Sequence, residues 1–127
     1  MSEVRALIVD DSSVMRKIVE RSLRQAGIDP LVVREAGNGV EGLEILRAEK
    51  VDLILSDINM PSMDGLEFVR QIRAQSLAQG VPVVMITTES SEEHVKQAIL
   101  AGARGYIRKP FNAEQVKERV LPLLGAA

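Results

Sequence analysis

Apolar residues fall into five short runs, each ending abruptly in polar or charged positions. The runs are Val4–Val9, Leu31–Val33, Leu53–Leu55, Val81–Ile86 and Gly105–Arg108. Runs of this length, rich in Val, Ile and Leu, predict strands buried on both faces. The second turns polar at Arg34-Glu35, as an edge strand does, and Pro82 is tolerable near the start of the fourth.

Between the runs the apolar residues recur at helical spacing. Ser12 or Ser13 can cap a first helix with Met15, Ile18, Val19, Ser22, Leu23 and Ala26 inward, stopped by Gly27. Asn38 with Glu41 forms a capping pair for a helix burying Val40, Leu43 and Leu46. A third starts near Asp64 and carries Leu66, Val69 and Ile72. Ser90 or Ser91 opens a fourth, with Val95, Ala98 and Ile99 inward and Gly102 as the stop. Asn112 and Gln115 cap a last helix carrying Val116, Val120 and Leu123, with Pro122 disturbing its final turn.

Strands alternating with helices predict an α/β protein: a doubly wound, five-stranded parallel sheet covered on both faces. Right-handed crossovers then bring every strand's carboxyl end to one edge of the sheet. At that edge the sequence puts Asp10 and Asp11 after the first strand, Asp57 after the third, Thr87 after the fourth and Lys109 after the fifth. Each is ordinary alone, since a strand-end Asp can simply mark where a strand meets water. Together they lie in the crevice where open α/β sheets bind ligands.

Converging carboxylates repel one another unless a cation joins them, and an all-oxygen donor set suits a hard divalent ion such as Mg²⁺. A metal beside a free carboxylate, faced by an ammonium and a hydroxyl, meets the requirements of phosphoryl transfer, with the carboxylate as nucleophile.

Composition narrows the field further. The 127 residues suffice for one domain, and the profile of 46% hydrophobic and 27% charged residues is that of a soluble protein. No apolar run reaches membrane-span length, and the amino terminus lacks a signal-peptide pattern, so a cytoplasmic protein is expected. Without Cys there are no disulfides, thiolate metal sites or Cys nucleophiles. A net charge of −2 gives no broad basic footprint for nucleic acid.

The paired Asp10-Asp11, the stretch from Ser56 to Gly65 (SDINMPSMDG), Thr87-Thr88-Glu89, Tyr106 and Lys109-Pro110-Phe111 together resemble the response-regulator receiver domains. The match spans essentially the whole chain, and the spacing of its motifs is highly specific. It implies the flavodoxin-like (βα)5 fold with strand order 2-1-3-4-5. By resemblance Asp57 is the phosphoacceptor, charged from a phosphohistidine on a sensor histidine kinase. Asp11, Asp57 and the Asn59 backbone carbonyl resemble the Mg²⁺ ligands, with Asp10 reaching the ion through water. Lys109 resembles the phosphate-pairing lysine, Thr87 the switch hydroxyl, and Tyr106 the aromatic that changes rotamer with Thr87. Asn59 and Glu89 sit where the family tunes phosphoryl lifetime, and the Lys109-Pro110 bond is expected to be cis. Two departures are Ile58, where Trp is familiar, and Thr88, where Ala is common.

The resemblance implies a stand-alone, monomeric switch with no output domain, binding a flagellar motor switch protein and served by a dedicated phosphatase. A phosphorelay shuttle is an alternative within the class. An aspartyl-nucleophile phosphatase of another class usually carries a second acid two residues past its nucleophile, where this chain has Asn59. A cofactor-binding flavodoxin would need a glycine-rich phosphate loop where Asp10-Asp11 stands. Met60 and Met63 read as turn packing, and His94 as a solvated residue. Tyr106, taken alone, could equally be a half-buried strand aromatic. Lys117 and Arg119 read as a solvated face or a docking surface.

Overall fold

The computed structural model describes residues 3–60, 62–87, 92–109 and 111–124. Its strands are β1 (Val4–Val9), β2 (Leu31–Ala36), β3 (Leu53–Asp57), β4 (Val83–Thr87) and β5 (Gly105–Arg108). They alternate with α1 (Ser13–Gln25), α2 (Gly39–Ala48), α3 (Gly65–Ala74), α4 (Glu92–Ala101) and α5 (Ala113–Leu124). All the pairings are parallel and the order is β2-β1-β3-β4-β5, the flavodoxin-like arrangement.

Alternation along the central strands sends side chains into two cores. Leu7, Val9, Ile54 and Met85 pack with Leu43, Phe68, Val69, Ile72, Val95 and Ala98, so α2, α3 and α4 cover one face. Ala6, Ile8, Leu53, Leu55, Val84, Ile86 and Ile107 pack with Val19, Leu23, Val116 and Val120, so α1 and α5 cover the other. Every residue of β3 and β4 is buried, as expected of central strands.

Local signals set the helix boundaries. The Ser12 hydroxyl accepts from the Met15 amide, Asn38 from Glu41 and Asp64 from Glu67. Asn112 and Gln115 satisfy each other's amides reciprocally. After α1, Gly27 takes a left-handed φ of 96°; its amide donates to the Arg24 carbonyl, and that of Ile28 donates to Leu23. This paired termination satisfies carbonyls that would otherwise be orphaned.

Several expectations need correction. Ile18, Val40 and Ile99 are 40–46% exposed and lie outside the core. Each sits at the margin of its apolar stripe, where helical spacing alone does not separate core from flank. β4 begins at Val83, two residues later than its apolar run. Pro122 falls in the final turn of α5, as expected, and the helix runs on to Leu124. The Asp29-Pro30 bond is cis, whereas the bond expected to be cis involves Pro110, which lies outside the described residues together with Thr88, Glu89, Ser90 and Ser91.

Candidate active site at the carboxyl edge of the sheet

Asp10 follows β1 and Asp57 closes β3, so neighbouring strands deliver both carboxylates to the same edge. Asp10 is 1% exposed and Asp57 8%, while Asp11 faces solvent. One carboxylate oxygen from each of the three lies within 4.8 Å of the others.

Lys109 leaves the end of β5, its amide donating to the Thr87 carbonyl at 2.6 Å. Its ammonium stands 3.7 Å from Asp10 Oδ2 and 3.7 Å from Asp57 Oδ2. Thr87 is buried at the end of β4. The exposed Asn59 donates its amide to Asp57 Oδ1 at 3.3 Å. The expected residues Asp10, Asp11, Asp57, Asn59, Thr87 and Lys109 thus gather at one edge; Glu89 and Pro110 lie outside the described residues.

The loop after β3 is shaped by Gly65. Its amide donates to the Ile58 carbonyl at 2.7 Å, and a Cβ there would fall on the Asp57 carbonyl oxygen and within 2.7 Å of Ile58 Cα. Only glycine allows α3 to begin so close to the end of β3. Arg16 contributes in a way that no sequence pattern reveals. Its Nη1 donates to the Asp10 carbonyl at 2.6 Å and its Nε to Glu35 Oε1 at 2.8 Å, tying α1 to the ends of β1 and β2.

The electrostatics are under tension. Burial holds both Asp10 and Asp57 above the ordinary carboxylate range, against the pull of Lys109. The Asp10 charge raises Asp57 further. Asp10 Oδ1 accepts from the Ser12 amide, but Oδ2 is buried without a hydrogen-bond partner. A buried carboxylate oxygen with no hydrogen bond, beside two more carboxylates, is a donor set suited to a cation. Oxygens on one Mg²⁺ sit at about 2.1 Å from it, hence at most about 4.2 Å apart. The 4.8 Å span needs only slight contraction or a bridging water, so these residues fit the ion.

Comparison with known proteins agrees with this geometry. The response regulator receiver domain model matches residues 6–121. The chain belongs to the response-regulator receiver family. A chemotaxis protein CheY homolog from Campylobacter jejuni is 40% identical over 123 residues, spanning 96% of this chain and 93% of the relative. The receiver fold is likewise that of Vibrio cholerae CheY4, with 37% identity, a TM-score of 0.84, and coverage of 97% of this chain and 100% of that one. The signal receiver domain of a Syntrophus aciditrophicus signal transduction histidine kinase aligns at 29% identity and TM-score 0.83, covering 98% and 92%. This protein is therefore a CheY-like receiver of two-component signalling. Among the described residues, no helix is long and apolar enough to cross a membrane.

Two side chains have roles the sequence did not disclose. Besides Arg16, Arg119 lies with its guanidinium carbon 5.3 Å from the centroid of the Tyr106 ring, so it is more than part of a solvated face. His94 and Lys117 are exposed, as expected. Met60 and Met63 pack against the core rather than joining the acidic cluster.

Proposed function

We propose that Asp57 accepts a phosphoryl group from a phosphohistidine of a sensor histidine kinase and that the aspartyl phosphate changes affinity for a partner protein. One observation carries the reading: a buried Asp57 carboxylate shares Lys109 with Asp10, while Asp11 completes a cluster within 4.8 Å. A carboxylate oxygen of Asp57 attacks phosphorus, the phosphorus–nitrogen bond breaks, and the imidazole leaves with the electron pair. Water later hydrolyses the acyl phosphate, releasing inorganic phosphate and restoring the carboxylate.

Asp10, Asp11 and Asp57, with the Asn59 carbonyl, are the residues that would hold Mg²⁺. When bound, it neutralises charge on the transferring oxygens. Lys109 supplies a fixed cation 3.7 Å from Asp57. The Thr87 hydroxyl donates to the phosphoryl oxygens, and Tyr106 follows the space that Thr87 vacates. Asn59 and Glu89 tune the lifetime of the phosphoryl group.

The 40% identity to a chemotaxis protein supports a flagellar motor switch protein as the partner, reached through the cytoplasm by a monomer. The experiment is transfer from a radiolabelled histidine kinase of the chemotaxis type in Mg²⁺. The label should move to this chain and then appear as inorganic phosphate. Capture of the motor switch protein should rise while the label is present. Label that stays on the kinase would overturn the phosphoacceptor reading, and capture independent of the label would overturn the output.

A further inference from the structure

Tyr106 and Thr87 share one face of the sheet. Met85 and Tyr106 are register partners, and Thr87 lies two residues beyond Met85, so alternation points all three the same way. Met85 and Tyr106 indeed pack with the core under α2, α3 and α4, whereas Ile86 and Ile107 pack with the core under α1 and α5.

Arg119 belongs to α5, on the opposite face, yet its guanidinium carbon is 5.3 Å from the Tyr106 centroid. The two side chains meet at the edge of the sheet, where β5 is the outermost strand. There the half-buried ring and the exposed Arg119 line a 290 Å³ surface cavity with Ile107, Arg108, Gln115 and Glu118. A ring drawn towards that edge moves away from Thr87, which lies one strand inward on β4.

We infer that Arg119 is a positioning residue that restrains the switch: its cation holds Tyr106 at the sheet edge and opposes the inward swing coupled to Thr87. This deepens, and rests on, the proposed role of Tyr106 in output. The attraction of a cation for an aromatic face at an exposed site corresponds to about a two- to fivefold bias between positions. It tunes the threshold of the switch without closing it.

Tyr106 is the sole tyrosine and the chain has no tryptophan, so intrinsic tyrosine emission reports this ring alone. Acrylamide, a neutral quencher, reads its exposure. In the unphosphorylated protein Arg119→Gln should protect the ring, raising the inward-to-outward ratio about two- to fivefold. Arg119→Lys, which keeps the cation, should restore most of the wild-type exposure. Phosphorylation should then protect the ring by a smaller further step in Arg119→Gln than in wild type. Unchanged or greater quenching in Arg119→Gln, or a Lys variant matching it, would overturn the restraint. The comparison without phosphate needs no phosphoryl transfer, so failure of Asp57 to label would sink the receiver chemistry and leave this result standing.

Discussion

Replacing Asp10 with Asn should stabilise the metal-free protein at neutral pH, against the usual effect of changing a buried residue. Asp10 is 1% exposed, its Oδ2 has no hydrogen-bond partner, and it shares a 4.8 Å cluster with Asp11 and Asp57. A buried polar atom left unsatisfied costs about 1–3 kcal/mol, and more when charged. The opposing loss is the Lys109 contact, which at 3.7 Å is beyond hydrogen-bond distance and offsets little of the cost of holding the Asp10 charge out of water; Lys109 keeps Asp57 at the same distance. Asn keeps the shape and the acceptor for the Ser12 amide and adds a donor facing the remaining carboxylates. The net gain is about 1–2 kcal/mol, which for a chain of this size raises Tm by roughly 5 °C per kcal/mol.

The sign with pH follows from the same burial. Asp10 and Asp57 are both held above their unfolded range, so the native state binds protons more tightly there. Below the unfolded carboxylate range both are protonated in either state and cost little; the penalty develops as pH rises through the folded values. The variant's advantage should therefore be small near the ordinary carboxylate pKa of about 4, and full near neutrality. Glu35 runs the opposite way. Hydrogen bonds from Lys17 and then Arg16 lower it, so its contribution is present above the unfolded carboxylate range and lost as pH falls. Thermal melts with a chelator across this range test the argument. In saturating Mg²⁺ the order should reverse, because an ion at about 100 times its Kd adds about 2.7 kcal/mol to the protein that binds it. A variant no more stable than wild type at neutral pH with chelator, or an advantage undiminished in acid, would refute the reasoning.

Gly65→Ala should cost about 1–3 kcal/mol by overpacking, because its Cβ meets the Asp57 backbone rather than a movable side chain; denaturant unfolding measures the loss, and Mg²⁺ affinity should fall with it. Asn38→Ala removes the cap on the Glu41 amide and should lower stability by about 1 kcal/mol, with Mg²⁺ binding unchanged.

The fold was legible in the sequence because its main signals are local. Leu53–Leu55 ends in Ser56-Asp57, Asn38 and Asp64 cap their helices, and Gly27 stops one, each through contacts within a few residues. The candidate site was legible because parallel topology alone brings Asp10, Asp57 and Lys109 together from distant strands. What escaped is tertiary. Arg16 reaches the Asp10 carbonyl from a helix surface, and Arg119 reaches Tyr106 from the opposite face of the sheet; neither leaves a periodic trace. Ile18, Val40 and Ile99 carry the right spacing but sit at the margins of their apolar stripes, where they stay 40–46% exposed. Pro122 stands in the final turn of α5, where it lacks the amide that would donate to the Glu118 carbonyl, and the helix still continues two residues beyond it.

The central claim is that Asp57 is the nucleophile, and mapping the site of labelling tests it most directly. Wild type and Asp57→Asn are incubated with acetyl phosphate and Mg²⁺, and each is examined by intact-protein and peptide mass spectrometry. Wild type should gain a single phosphoryl group, labile to hydroxylamine as an acyl phosphate is, on the peptide containing Asp57. Asp57→Asn should fold normally and gain none. Label of equal stoichiometry in the variant, or on another residue of the wild type, would contradict the account.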